Sequence, residues 1–308
     1  MTSFRPLSPE PLTERPWSLE EAFQYCERLA STHYENFPVG SRFIPRKLRP
    51  YVHSIYAFAR IADDFADEPQ YLDNLRLAFL ENWEGQLLQC MWRKPQHPVF
   101  IALQETIRKF DLPVGLFQDL LTAFKMDVTT KRHDRFEDLL TYCRYSANPV
   151  GRLVLLLFGY RDSEYHAFSD SICTALQLTN FWQDVAVDDR KDRIYLPVED
   201  MAKFGYTVAD LKARRHNEAF RRLMRHEIHR TRELFQHGYP LCKKVGRDLR
   251  FELRLVWNGG MAVLDRIEAV DCNIFDERLK LTVKDRLILI TKTAIKTVAA
   301  RNGSRSHP

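Results

Sequence analysis

Glycine is scarce in this chain, at 11 of 308 residues, and few stretches alternate apolar with polar side chains. Strand-rich chains need both alternation and turn-forming residues. With both in short supply, and a 3.6-residue apolar period along most of the length, the fold reads as all-α. No two of the six cysteines, Cys26, Cys90, Cys143, Cys173, Cys242 and Cys272, have CxxC spacing. In a chain this long that speaks against a disulfide scaffold and predicts reduced thiols and a cytoplasmic location. The longest apolar run, Leu153 to Phe158, is too short to span a bilayer. The proline-rich N-terminus lacks the apolar stretch of a signal peptide. Any membrane contact is therefore expected to be peripheral.

Other absences narrow the chemistry. There is no HExxH or Cys/His array, which argues against zinc. No GxSxG elbow surrounds Ser41, Ser146 or Ser171, which argues against a serine hydrolase. No GxGxxG or Walker loop marks a dinucleotide or P-loop site. The net charge of +5 comes from scattered basic residues without a recognition motif, so nucleic acid is not an expected partner. That charge reads either as a solvated surface or as attraction to anionic headgroups or a diphosphate.

Residues 1–17 hold four prolines and are expected to form an extended arm. Ser18 and Glu21 have capping-box spacing and predict a helix to about Tyr34. A Pro/Gly break at 36–45 precedes a helix over 46–67. Further helices are predicted at 70–92, 98–110, 114–127, 135–159 with a kink at Pro149–Gly151, 163–189, 217–237, 246–269 and 283–300. No repeat or linker divides the chain, so one helical domain over 18–302 is expected, followed by a polar tail at 303–308. The basic, partly apolar segment Val283 to Arg301 reads as an ordinary amphipathic helix or as one resting on a membrane surface.

Two stretches place acidic residues one helical turn apart. Asp63, Asp64 and Asp67 follow Tyr56 and Arg60 on one stripe, and Asn180, Asp184 and Asp188 follow Gln177 on another. Each stripe repels itself unless a cation sits in it. Carboxylate and amide oxygens suit Mg²⁺, which pairs with phosphates. Two such claws facing each other across a bundle would hold Mg²⁺ ions on a diphosphate. Either stripe also reads as a solvated acidic helix edge, although Phe181, Trp182, Val185 and Val187 make the second unusually apolar. In the segment Tyr142 to Gly151, small residues allow close helix approach. Tyr142 there either points a ring into a cavity, where it would stabilise a cation, or is simply packed.

These motifs, in this order, resemble the squalene/phytoene synthase family. They are Asn36-Phe37, Tyr56 to Asp67, Tyr142 to Gly151, Gln177 to Asp188 and Arg193 to Pro197. The wording of His33 to Val39 and of Asn180 to Asp188 is most similar to the hopanoid-pathway branch that makes hydroxysqualene. The resemblance implies an all-α isoprenoid synthase bundle with Mg²⁺ as cofactor. It further implies presqualene diphosphate as substrate, a rearranging cyclopropylcarbinyl cation and capture by water. Pathway enzymes are implied as partners.

By matching position, Asp63, Asp67, Asn180, Asp184 and Asp188 are implied metal ligands, with Asp64 adjacent. Tyr56, Arg60, Gln177, Gln183, Arg193 and Tyr195 are implied substrate contacts. His33, Tyr34, Glu35, Asn36 and Phe37 match a segment over the diphosphate, and Tyr142 a tyrosine near the carbocation. The chain departs from the family at Gln183, where many members have Arg, and at Val187, where many have Glu. It also departs at Gly259-Gly260-Met261, where a tyrosine is expected; its loss would make room for water. Condensing relatives that join two prenyl diphosphates, and relatives acting as non-catalytic assembly factors, are the alternatives.

Overall fold

A computed structural model describes residues 16–32 and 44–275. The arm over 1–15, the break at 33–43, the helix expected at 283–300 and the polar tail lie outside the described residues. Those described form α-helices and no β-strand; one isolated parallel bridge joins Arg132 and Ile194. The chain divides into two compact units. Among the described residues, one comprises 16–32, 44–130 and 149–161, the other 131–148 and 162–275.

The first unit contains α1 (Leu19–Thr32), α2 (Arg49–Asp67), α3 (Asp73–Gln89), α4 (Pro98–Phe110) and α5 (Val114–Thr129). Local chemistry starts these helices. The Glu21 N–H donates to Ser18 Oγ at 3.2 Å and the Ser18 N–H donates to Glu21 Oε2 at 3.0 Å, so the box closes reciprocally. Pro98 opens α4, where its missing N–H costs nothing, and the ring of His97 accepts the Val99 N–H at 3.2 Å. Burial pushes His97 down to about 4 and keeps that ring neutral, able to accept. Phe58 on the inner face of α2 anchors the core. Its ring meets Phe117 edge-on at 5.4 Å and stacks on Trp83 at 6.0 Å, and its carbonyl accepts the Trp83 indole N–H at 3.3 Å.

The second unit contains α6 (Phe136–Ser146), α8 (Ser163–Asp188), α9 (Val198–Phe204), α10 (Val208–Lys212), α11 (Glu218–Gly238), α12 (Leu241–Lys244) and α13 (Arg247–Ala269). Asp162 caps α8 through the Glu164 N–H at 2.7 Å. Helices α8 and α11 pack closely because Gly238 has no side chain. A Cβ there would lie 2.5 Å from Ile172 Cγ1 and 2.7 Å from the Phe168 carbonyl oxygen. The buried Trp182 indole donates to Thr231 Oγ1 at 2.8 Å across the same pair.

Two sequence expectations change. The single kinked helix over 135–159 is two helices, α6 and α7 (Asn148–Leu157). Ala147 caps α6, its N–H still reaching the Cys143 carbonyl at 2.9 Å, and Pro149 falls in the first turn of α7, where proline starts a helix rather than bending one. The second concerns α13. At Gly260 the missing side chain leaves no room for water, because a Cβ there would collide with the Phe235 ring and press on Leu176. At Gly259, in the same segment, nothing lies within 4 Å of a Cβ, so the expected space is closed at Gly260 alone. Gly260→Ala is therefore expected to cost about 1–3 kcal/mol by overpacking. Gly259→Ala should be neutral or raise stability by up to about 1 kcal/mol, the helix preference of alanine over glycine. Urea unfolding midpoints of the two variants check the contrast.

Candidate active site

On α2 the buried positions include Ala57, Phe58, Ile61, Ala62, Phe65 and Ala66, which leaves Tyr56, Arg60, Asp63, Asp64 and Asp67 on the open stripe. Apolar spacing thus turns the acids outward while holding the helix against its core. The Arg60 guanidinium donates to Asp63 Oδ2 at 3.3 Å and also to Asp64 Oδ1. Asp64 is the more enclosed, with 15% of its side chain exposed against 41% for Asp63. Arg60 therefore neutralises part of a cluster that would otherwise repel itself. Burial raises the Tyr56 phenol above its ordinary value; Asp63 and Asp64 add to this and Arg60 opposes it.

Helix α8 repeats the logic. Leu178, Thr179, Phe181, Trp182, Val185 and Ala186 are buried, while Gln177, Asn180, Gln183, Asp184 and Asp188 are not. A short 3₁₀ turn, Asp189–Lys191, carries the chain off the end of α8. The Arg193 N–H then returns to the Asp188 carbonyl at 3.0 Å. Asp188, Arg193, Tyr195 and Phe181 line one crevice of this unit.

Beside that crevice stands an aromatic stack. Tyr195 lies parallel to Phe181 at 3.7 Å between ring centroids, and the His133 ring stacks on Tyr195 at 5.8 Å. Tyr142 of α6 touches all three rings at 5.8 to 6.0 Å. Burial lowers His133 below its ordinary value, against the opposing pull of Asp138 and Asp134, so the slab holds no added cation near neutral pH. Electron-rich aromatic faces suit a cationic intermediate.

A clip sets the position of Arg193 and Tyr195. The Ile194 N–H donates to the Lys131 carbonyl at 3.1 Å and the Val198 N–H to that of His133 at 3.0 Å. Arg132 pairs with Asp192 at 2.8 Å, and Asp192 takes left-handed backbone at φ 56. Sequence reasoning missed His133, Arg132 and Asp192. No local period marks them, since their partners lie about sixty residues away. His33, Tyr34, Glu35, Asn36 and Phe37 lie outside the described residues.

Among the described residues, no three His, Cys, Asp or Glu side chains converge as a ready-made metal site. The oxygen donors stand in pairs one turn apart on α2 and on α8. That suits Mg²⁺, which typically takes one or two carboxylates and fills its remaining positions with water and substrate phosphate. All six cysteines are free thiols, five of them buried and the sixth, Cys173, partly so. No described helix is long and apolar enough to cross a membrane.

Comparison with known proteins fits this geometry. The description "Squalene/phytoene synthase" matches residues 30–285. A phytoene synthase from Arthrospira platensis is 30% identical over 288 residues, 88% of this chain and 92% of its own length. A hydroxysqualene synthase from Rhodopseudomonas palustris is 35% identical over 230 residues, 74% of this chain and 77% of its own. The crystal structure of squalene synthase HpnC from Alicyclobacillus acidocaldarius superposes with a TM-score of 0.78 at 42% identity, covering 82% of this chain and 95% of that one. With the all-α architecture and both acidic stripes in place, this chain belongs to the squalene/phytoene synthase family.

Proposed function

We propose that this protein converts presqualene diphosphate and water to hydroxysqualene and diphosphate. The observation that carries the reading is the 35% identity to a hydroxysqualene synthase over 74% of this chain, beside the 42% identity to a structure described as squalene synthase HpnC. Asp63, Asp67, Asn180, Asp184 and Asp188 are the residues that would hold Mg²⁺, with Asp64 beside them. Bound there, the metal would supply Lewis-acid neutralisation of the leaving diphosphate.

The protein's own groups do the rest. Arg60, which donates to Asp63 and Asp64, would also offer its guanidinium to a diphosphate oxygen. Tyr56, Gln177 and Arg193 orient the diphosphate. Breaking the C–O bond leaves a carbocation, and the aromatic cluster of Tyr142, Phe181 and Tyr195 would flank it. His133 backs Tyr195 and stays neutral. The cation gains the oxygen of one water, and the water's proton leaves.

Gln183 bears on substrate choice. An enzyme that condenses two prenyl diphosphates holds two diphosphates; one that starts from presqualene diphosphate holds one. A neutral amide at 183 fits the second case. The condensing reaction is the second reading, supported by the 30% identity to a phytoene synthase over 288 residues.

The test supplies purified protein and Mg²⁺ with either farnesyl or presqualene diphosphate, without NADPH, and identifies products by mass spectrometry. Hydroxysqualene from presqualene diphosphate alone is expected. Presqualene diphosphate formed from farnesyl diphosphate would move the protein to the condensing branch. Gln183→Arg is expected to lower the rate with presqualene diphosphate or to alter substrate choice. If both stay unchanged, the role assigned to Gln183 is wrong.

A further inference from the structure

The turn between α3 and α4 carries a tip that the proposed chemistry does not use. Trp92 is 87% exposed, Leu88 41% and Met91 37%. Of the five tryptophans, Trp83 and Trp182 are fully buried and Trp17 and Trp257 partly so, which leaves Trp92 as the exposed one. Arg93 and Lys94 follow it, both exposed. From Gly85 to His97 the sequence contains these two cations and no acidic residue. The preceding acid, Glu84, is taken by Lys125 at 2.7 Å.

The tip is held, not loose. The Trp92 N–H donates to the Gln89 carbonyl at 3.0 Å and the Arg93 N–H to the same oxygen at 2.9 Å. From α4, the Gln104 amide donates to the carbonyls of Cys90 and Arg93. Behind the tip lies a groove of about 600 Å³ lined by Gln86, Gln89, Arg93, Lys94, Gln96 and His97. These are hydrogen-bond donors and cations around an open space, with apolar side chains beside it.

One exposed apolar side chain is ordinary on a protein surface; here three close in sequence, Leu88, Met91 and Trp92, are exposed beside two cations. Here the apolar part is three side chains, which is small for a stable protein interface. The flank is cationic. Tryptophan favours the boundary between water and lipid, and Lys and Arg favour an anionic leaflet. We propose that this corner docks on an anionic lipid surface. Trp92, Met91 and Leu88 enter the headgroup layer, while Arg93 and Lys94 pair with lipid phosphates.

The experiment sediments the full chain with vesicles of phosphatidylcholine, or of phosphatidylcholine and phosphatidylglycerol at three to one. Thermal melts and sedimentation velocity accompany each variant. Binding is expected to favour the anionic vesicles. Paired Arg93→Glu and Lys94→Glu substitutions should weaken it by about tenfold or more. Trp92→Ala should weaken it several-fold with the melting temperature unchanged. Brominated lipid should quench wild-type fluorescence more than that of Trp92→Phe. If the protein ignores anionic vesicles, or the variants bind as the wild type does, the proposal fails. If Trp92→Ala leaves vesicle binding intact but converts an oligomer to monomer, the tip is a protein interface and the proposal fails.

Discussion

Asp184→Ala is expected to lower turnover by on the order of 10² to 10⁴ while the protein stays folded, and Asp63→Ala to do the same. The argument is electrostatic. In the proposed reaction the departing diphosphate develops charge that preorganised cations would meet, and the acids would hold those cations. Removing one carboxylate should remove several kcal/mol, on the order of 3 to 5, of transition-state stabilisation. The fold should survive because both residues lie off the buried faces of their helices, whose cores are Phe58, Ile61 and Phe65 on α2 and Trp182 and Val185 on α8. In Asp63→Ala, Arg60 still has Asp64 as a partner. Asp184→Asn keeps the shape and removes the charge, so it should resemble Asp184→Ala if charge is what matters. Steady-state rates and circular dichroism melts read the two effects separately. Mg²⁺-dependent binding of a non-hydrolysable diphosphate analogue should weaken in step. Substantial activity retained by either alanine variant would sink the claw model.

Glu227→Gln should flatten the dependence of stability on pH. Glu227 is fully buried on α11, where Arg230 Nε donates to its Oε2 at 2.7 Å and Arg230 also reaches Asp200 at 2.7 Å. The Arg230 guanidinium lies 3.4 Å over the Phe136 ring. Burial dominates and pushes the carboxyl from the ordinary 4.5 up to about 8. Arg230 pulls the other way, and Asp200, a second anion sharing that one arginine, adds to the rise. Glu227 Oε1 has no hydrogen-bond partner, which also disfavours the ionised form.

The sign follows from linkage. Between about pH 4.5 and 8 the native state keeps a proton that the unfolded chain has lost. Stability from this group is present below pH 4.5 and falls as pH rises to 8, by up to about 1.4 kcal/mol per pH unit. Glutamine mimics the protonated acid. The variant should match the wild type at pH 4.5 and exceed it at pH 8. Denaturant titrations at three pH values decide this; parallel curves would mean that the Arg230 pair keeps Glu227 ionised throughout.

Much of the helical layout was legible because its causes are local. Ser18 and Glu21 close a box three residues apart, Pro98 opens a helix, and the spacing of Asp184 and Asp188 needs only the pitch of α8. The same pitch decided which face each acidic stripe would take, since the apolar residues between the acids seek the core. Pro149 is ambiguous in sequence because proline can bend a helix or begin the next one, and only the structure shows that α6 ends at Ser146 and α7 begins at Asn148.

What escaped the sequence depends on neighbours far along the chain. His133 gains its meaning from the ring of Tyr195, and Arg132 from Asp192. Of the segment Gly259 to Met261, Gly260 is closed by the Phe235 ring while Gly259 is open, and the upward shift of Glu227 comes from its burial. The sequence by itself determined the helices, their caps and the acidic stripes, because backbone hydrogen bonds and side-chain periodicity act within a few residues. Only the tertiary structure decided which rings stack, which glycine is a contact and which acid is pushed toward its neutral form, because burial and stacking are set by groups that folding brings together.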